Sequence, residues 1–304
     1  MTDCRQEVAQ FREQDFVVVE DVLRDEDLAP VQHDLEAFID AKAASFLAEG
    51  RITDACADLD FEHRIVALFQ QNSTILGGMD IMVMRTRGLF DFLHNERLLD
   101  LVESLLGSEL TCNPIQHLRA KMPASVDSVN GFMNVPWHQD AGVTLEEADD
   151  TEIITFWIPM VDATIQTGCM QVIPHCRERG LVQHIPGDYG TEIDPDFLPD
   201  TAPVTAECPR GGVVVMNKYT PHRGQPNLSD LARWTIDLRY QKTGEPTGRP
   251  FHPDFVVRSR LDPASVKRDH EGWCDAWEYA LANSAGKQAH RVSTAPPVIP
   301  AAEN

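Results

Sequence analysis

The chain has 304 residues, 48 of them acidic and 26 basic, for a formal net charge of −22. A duplex-binding protein needs surplus Lys and Arg to displace counterions from phosphate, so this balance argues against nucleic acid as a partner. The longest apolar stretches, near residues 16–19 and 213–216, are too short to span a bilayer. The first residues carry no basic segment followed by an apolar one, so no secretory signal is visible and a soluble, cytoplasmic protein is expected. Seven scattered cysteines without a Cys-x-x-Cys pair point to free thiols rather than to a disulfide framework or a zinc site.

Residues 15–20 are rich in β-branched side chains and read as a strand. Asp25, Glu26 and Asp27 suit a helix N-terminus, and Leu28, Val31, Leu35, Phe38 and Ile39 then recur at helical spacing. The same periodicity in Leu98, Leu99, Leu101, Val102, Leu105 and Leu106 is stopped by Gly107. After about residue 110 the pattern changes. Short β-rich runs at 115–122, 152–161, 169–174, 212–216 and 234–241 alternate with Gly, Pro and Asp turns, as in a sandwich or barrel. A single domain over 1–285 is expected, with a helical N-terminal third and a β core at about 110–245. Residues 286–304 have little to bury and read as a disordered tail. Trp273 and Trp277, four apart, predict a helix face packed on the domain.

The sharpest local feature is Pro136-Trp137-His138-Gln139-Asp140. On a strand, His138 and Asp140 would project from one face, supplying two ligands of a 2-His-1-carboxylate facial triad. His222, after the run at 212–216, is the candidate third ligand. Downstream, Trp234, Ile236, Leu238 and Tyr240 alternate with Arg233, Thr235, Asp237 and Arg239. On that strand alone the pattern reads as a core face and a solvent face. In a small barrel with a polar lumen, Arg233 would instead point inward as a clamp for a small dicarboxylate. Irregularly spaced His175, Cys176 and His184 read as loop residues rather than a second metal site. The acidic run at 146–150 reads as a solvated loop, close enough to the metal motif to serve as a lid.

These motifs together resemble the phytanoyl-CoA dioxygenase (PhyH) family of Fe(II)- and 2-oxoglutarate-dependent oxygenases, from Phe16 to about Gln241. The resemblance implies a mainly β fold with flanking helices: a double-stranded β-helix, or cupin-like jelly roll, behind an N-terminal helical layer. It implies His138, Asp140 and His222 as iron ligands, with 2-oxoglutarate and O2 as co-substrates. Arg233, eleven residues after the distal histidine, matches the arginine that holds the far carboxylate of 2-oxoglutarate. Trp157 and Lys121 match co-substrate pocket residues, and His117, on the predicted face of Lys121, is a further candidate. Residues 168–174 match the family's Gly-x-Leu-x-Val-Ile-Pro segment, but 175–179 replace its usual Gly-Ser-His, and Gly224 stands where a small polar residue is common.

What the resemblance implies is a dioxygenase that hydroxylates, or otherwise oxidises, an unactivated C–H bond; a small metabolite or natural-product intermediate is the expected substrate. Halogenases of this kind lack the carboxylate ligand, so Asp140 favours hydroxylation. A net charge of −22 opposes a CoA ester by long-range repulsion, and Ala302-Glu303-Asn304 is not a peroxisomal tripeptide. A 2-oxoglutarate-independent cupin-type metalloenzyme and a catalytically silent metabolite-binding relative are the alternatives.

Overall fold

The computed structural model describes residues 4–127, 135–187, 190–287 and 290–291. Seven α-helices among them are α1 (Arg5–Gln14), α2 (Asp25–Ala48), α3 (Phe61–Gln71), α4 (Ile81–Met84), α5 (Arg87–Leu93), α6 (Glu96–Leu106) and α7 (His270–Ala282). The strands are β1 (Phe16–Val19), β2 (Leu110–Cys112), β3 (His117–Lys121), β4 (Ile154–Pro159), β5 (Met170–Val172) and β6 (His184–Gly187), followed by β7 (Gly190–Ile193), β8 (Val204–Ala206), β9 (Val213–Asn217), β10 (His222–Gly224), β11 (Arg233–Lys242) and β12 (Phe255–Arg258).

Local chemistry sets the element ends. At the start of α2 the Asp27 carboxylate accepts from the Arg24 backbone N–H at 2.8 Å, and two further acids lie in the first turn. The Asn95 side chain caps α6 by accepting from Leu98 N–H at 3.0 Å. Gly107, with φ of 88°, ends that helix in a conformation a β-carbon would oppose.

The main sheet is antiparallel, in the order β1-β9-β4-β11-β2-β12, with β3 also paired to β11. A second sheet runs β10-β5-β8. Helices cover the outer face of the main sheet. Val17, Phe156, Val215, Trp234, Ile236, Leu238 and Tyr240 there share one apolar core with Leu28, Leu35, Leu99, Trp273 and Trp277. Phe61 of α3 stacks on Trp234 with ring centroids 4.6 Å apart. The inner face meets the second sheet through a smaller core that joins Phe16, Trp157, Val214 and Met216 to Met170, Val172 and Ala206. Two facing antiparallel sheets with helices on one side make the jelly-roll core expected from the sequence. None of the helices among the described residues is long and apolar enough to cross a membrane.

The alternation on β11 is therefore not a division between core and solvent. Arg233, Thr235, Asp237 and Arg239 are as buried as the apolar row, at no more than 7 % exposure. They face the space between the two sheets. Of the segment expected to be disordered, His290 and Arg291 are described and half-buried, and Arg291 pairs with Asp149. Residues 288–289 and 292–304 lie outside the described residues.

Ile236 is fully buried on the helix-facing row. Truncating it to Ala should cost about 2–5 kcal/mol of unfolding free energy, and the milder Ile236→Val about 0.5–1.5 kcal/mol. Denaturant melts of the two variants check this ordering.

Candidate metal centre

His138, Asp140 and His222 offer ligand atoms that all lie within 4.8 Å of one another, and they form the sole such cluster found among the described residues. The backbone that brings them together is not the strand the sequence suggested for 136–140. His138 makes one antiparallel bridge with His222, through paired N–H···O bonds of 3.1 and 2.9 Å. Asp140 then begins a 3-10 turn, Asp140–Val143. From this turn the Asp140 carboxylate meets Thr155 and Arg239 of the main sheet, with Oδ1 3.9 Å from His138 Nε2.

Between the two ligands, Gln139 is completely buried and anchors the loop. Its side-chain amide donates to the carbonyls of Gly180 and Tyr219 at 3.0 and 2.7 Å, and its oxygen accepts from Val182 N–H. Its own N–H donates to Nε2 of His184 at 3.1 Å. His184 thus supports the ligand loop. The run at 175–177 docks on the end of α1, with Arg177 N–H donating to Asp15, so its departure from the family pattern lies at that packing contact. The acidic run at 146–150 is tied down as well. The buried Lys218 ammonium donates to the carbonyls of Ala148 and Asp149, each at 2.6 Å.

Both ligand histidines are set in one tautomer by their surroundings. Nδ1 of His138 lies 3.0 Å from the Pro136 carbonyl, and Nδ1 of His222 lies 2.9 Å from that of Thr220. A carbonyl only accepts, so Nδ1 carries the proton and Nε2 keeps a lone pair for a metal. Burial, with the charge of His222 adding to it, pushes the His138 imidazole down to about 3, so it stays neutral. Burial alone would raise the Asp140 carboxyl. Together the charge of Arg239, the two neighbouring imidazoles and the hydrogen bonds from Arg239 outweigh it and hold the group well below the usual carboxylate range. Two imidazole nitrogens and one ionised oxygen are the donor set that suits a non-haem Fe(II) with open positions.

The same cavity is lined by Arg119, Lys121, Trp157, Met170, Gly224, Arg233, Asp237 and Arg239. The register explains the grouping. Lys121 of β3 lies opposite Arg233 of β11, and Trp157 of β4 lies opposite Asp237. Arg233 sits over the Trp157 ring at 4.9 Å, a cation–π contact in a dry setting. Two of the cavity's cations are matched by acids: Arg239 with Asp140 at 2.8 Å and Arg119 with Asp237 at 3.2 Å. The other two are not. Among the described residues, Lys121 Nζ and Arg233 Nε and Nη1 are buried without a hydrogen-bond partner. Burial, then the charge of Arg233, lowers the Lys121 ammonium to about 7, and burial brings Arg233 down to about 10. Two adjacent buried donors without acceptors fit an anion such as the far carboxylate of a keto acid.

His117 is not brought into this group. Its Nδ1 lies 3.1 Å from an Asp80 carboxylate oxygen, at the N-terminus of α4, and Arg119 lines the cavity instead. Arg119 was missed by the sequence reading although it shares the face of Lys121, because nothing local separates a lumen arginine from a surface one. Gln139 and Thr155 were missed too, since their roles come from contacts distant in sequence.

Residues 11–235 match the family model for phytanoyl-CoA dioxygenase (PhyH). The chain belongs to that family. Among curated proteins it is similar to the mouse (Mus musculus) phytanoyl-CoA dioxygenase domain-containing protein 1, 29 % identical over 140 residues. That match covers 41 % of this chain and 47 % of the relative, so the chain spans about half of that protein's length. Among solved structures, the non-heme monooxygenase ThoJ has a TM-score of 0.59 at 19 % identity, covering 90 % of this chain and 94 % of its own. The epimerase SnoN, in complex with Fe3+, alpha ketoglutarate and nogalamycin RO, has a TM-score of 0.53 at 20 % identity, covering 81 % and 87 %. EvdO2 from Micromonospora carbonacea var. aurantiaca, complexed with 2-oxoglutarate, has 0.52 at 18 % identity, covering 81 % and 94 %. These likenesses speak for the fold.

A carboxylate bound at Lys121 favours its charged form, whereas the free ammonium loses its proton near pH 7. Above that pH each binding event takes up a proton, so 2-oxoglutarate affinity should fall by up to about tenfold per pH unit. Calorimetry between pH 6 and 9 reads the slope, and Lys121→Met should flatten it.

Proposed function

We propose that the protein is an Fe(II)- and 2-oxoglutarate-dependent dioxygenase that hydroxylates an unactivated C–H bond of a small metabolite or natural-product intermediate. The observation that carries this reading is the pair of buried cations, Lys121 and Arg233, left without hydrogen-bond acceptors among the described residues beside the His138, Asp140 and His222 cluster. His138, Asp140 and His222 would hold the iron, and Arg233 with Lys121 would hold the far carboxylate of the keto acid. When bound, iron, 2-oxoglutarate and O2 together supply the oxidising power for C–H hydroxylation, with 2-oxoglutarate converted to succinate and CO2.

The chain's own part is placement and exclusion of water. Arg233 is held by the Trp157 face on one side and by its strand on the other, so its guanidinium needs little reorganisation to receive a carboxylate. Trp157 and Met170 give the cavity wall apolar surface, backed by the small core between the two sheets. His138 and His222 keep their protons on Nδ1, bonded to carbonyls, so neither ring offers an acid on the metal side. Asp140 supports hydroxylation over halide transfer, because a protein carboxylate fills the position a halide would need.

Anaerobic titration of the Fe(II)-loaded protein with 2-oxoglutarate tests the reading. A saturable visible charge-transfer band is expected, with affinity lowered about 30-fold or more in Arg233→Ala, for loss of one partner of a buried charged pair. Iron bound without a band would contradict it. Ala at His138, Asp140 or His222 should abolish succinate formation; full activity at equal iron loading would count against the ligand assignment.

A further inference from the structure

Arg239 lines the same cavity but stands apart from the Lys121–Arg233 pair, and it is the most fully hydrogen-bonded cation there. Its Nη2 donates to Oδ1 of Asp140 at 2.8 Å and its Nε donates to Oδ2 at 3.2 Å. Its remaining nitrogen reaches the Ile115 carbonyl at 3.4 Å. The guanidinium is only 4 % exposed. Thr155, directly across the ladder from Arg239 on β4, donates its hydroxyl to Oδ2 of the same carboxylate. Cross-strand partners share a face, so the two residues converge on Asp140 as a consequence of register alone.

We propose that Arg239, seconded by Thr155, is a positioning residue that presents Asp140 to the metal through one oxygen only. Each carboxylate oxygen has about two acceptor sites. On Oδ2 both are taken, by Thr155 and by Arg239 Nε. On Oδ1 one is taken by Arg239 Nη2, and the other is left on the side where His138 Nε2 stands, 3.9 Å away. The planar fork also fixes the plane of the carboxylate, because two parallel N–H···O bonds permit no rotation about its axis. A carboxylate free to turn could chelate with both oxygens and fill a position the keto acid needs. The inference rests on the metal-site reading above, and it concerns what keeps that site open rather than which residues ligate.

Arginine and lysine separate geometry from charge here, since lysine keeps the charge and loses the two-point fork. The test is anaerobic titration of wild type, Arg239→Met, Arg239→Lys and Thr155→Val with Co(II), reading affinity and the visible ligand-field spectrum, then with Fe(II) and 2-oxoglutarate. Circular dichroism checks folding. Expected is Co(II) affinity at least tenfold weaker in both Arg239 variants, an altered band shape, and a diminished keto-acid band with iron. Thr155→Val should change in the same direction by less, and it stands as the test if the Arg239 variants do not fold. Affinity within twofold of wild type and an unchanged spectrum would overturn the proposal. So would an Arg239→Lys variant equal to wild type, because charge alone would then suffice. Failure of the wild type itself to bind Co(II) would instead contradict the metal-site reading.

Discussion

A buried charge is tolerated only when another charge or dipole answers it, and the architecture of this lumen follows from that constraint. Strand β11 is buried on both faces, so its polar row of Arg233, Thr235, Asp237 and Arg239 has no water to turn to. Arg239 is answered by Asp140 and Asp237 by Arg119. Arg233 finds the Trp157 ring face, but neither its Nε and Nη1 nor the neighbouring Lys121 ammonium finds an acceptor among the described residues. The incomplete pairing is the feature that a bound dicarboxylate would complete.

The layering makes this arrangement affordable. Helices on the outer face of the main sheet give β11 and β4 a large apolar core, which fixes strand register through Trp234, Ile236, Leu238, Tyr240 and Phe156. Once register is fixed on that side, the opposite side chains are fixed as well. Thr155 must meet Arg239, Trp157 must meet Asp237, and Lys121 must meet Arg233. The metal-ligand loop is held at three places, of which the last reaches this wall: the His138–His222 bridge, the Gln139 amide and the Arg239–Asp140 fork.

Much of this was legible in the amino-acid sequence, and for different reasons in different places. The helix at 96–106 and the strand at 233–242 follow from periodicity, with Gly107 ending the first. The triad and the arginine eleven residues beyond it follow from family resemblance rather than from periodicity. The conformation of 136–140 was not legible, because a single bridge followed by a 3-10 turn has the same residue spacing as a short strand. Which face of β11 meets solvent was likewise open, since alternation describes two faces and not what covers them. His117 and Arg119 share a face of β3, and only the position of Asp80 decides that the histidine is drawn away. The acidic run at 146–150 owes its fixed position to Lys218, about seventy residues away, a contact with no local signal.

The central claim is that Lys121 and Arg233 await the far carboxylate of a keto acid whose other end would meet the metal. The most direct measurement is calorimetric binding of 2-oxoglutarate and of 2-oxobutyrate, which lacks that carboxylate, to the metal-loaded protein without O2. The account predicts at least a hundredfold preference for 2-oxoglutarate in wild type, collapsing to a few-fold in the Lys121→Met/Arg233→Ala double variant. Equal affinity for the two acids in wild type, or a preference that survives the double substitution, would contradict it.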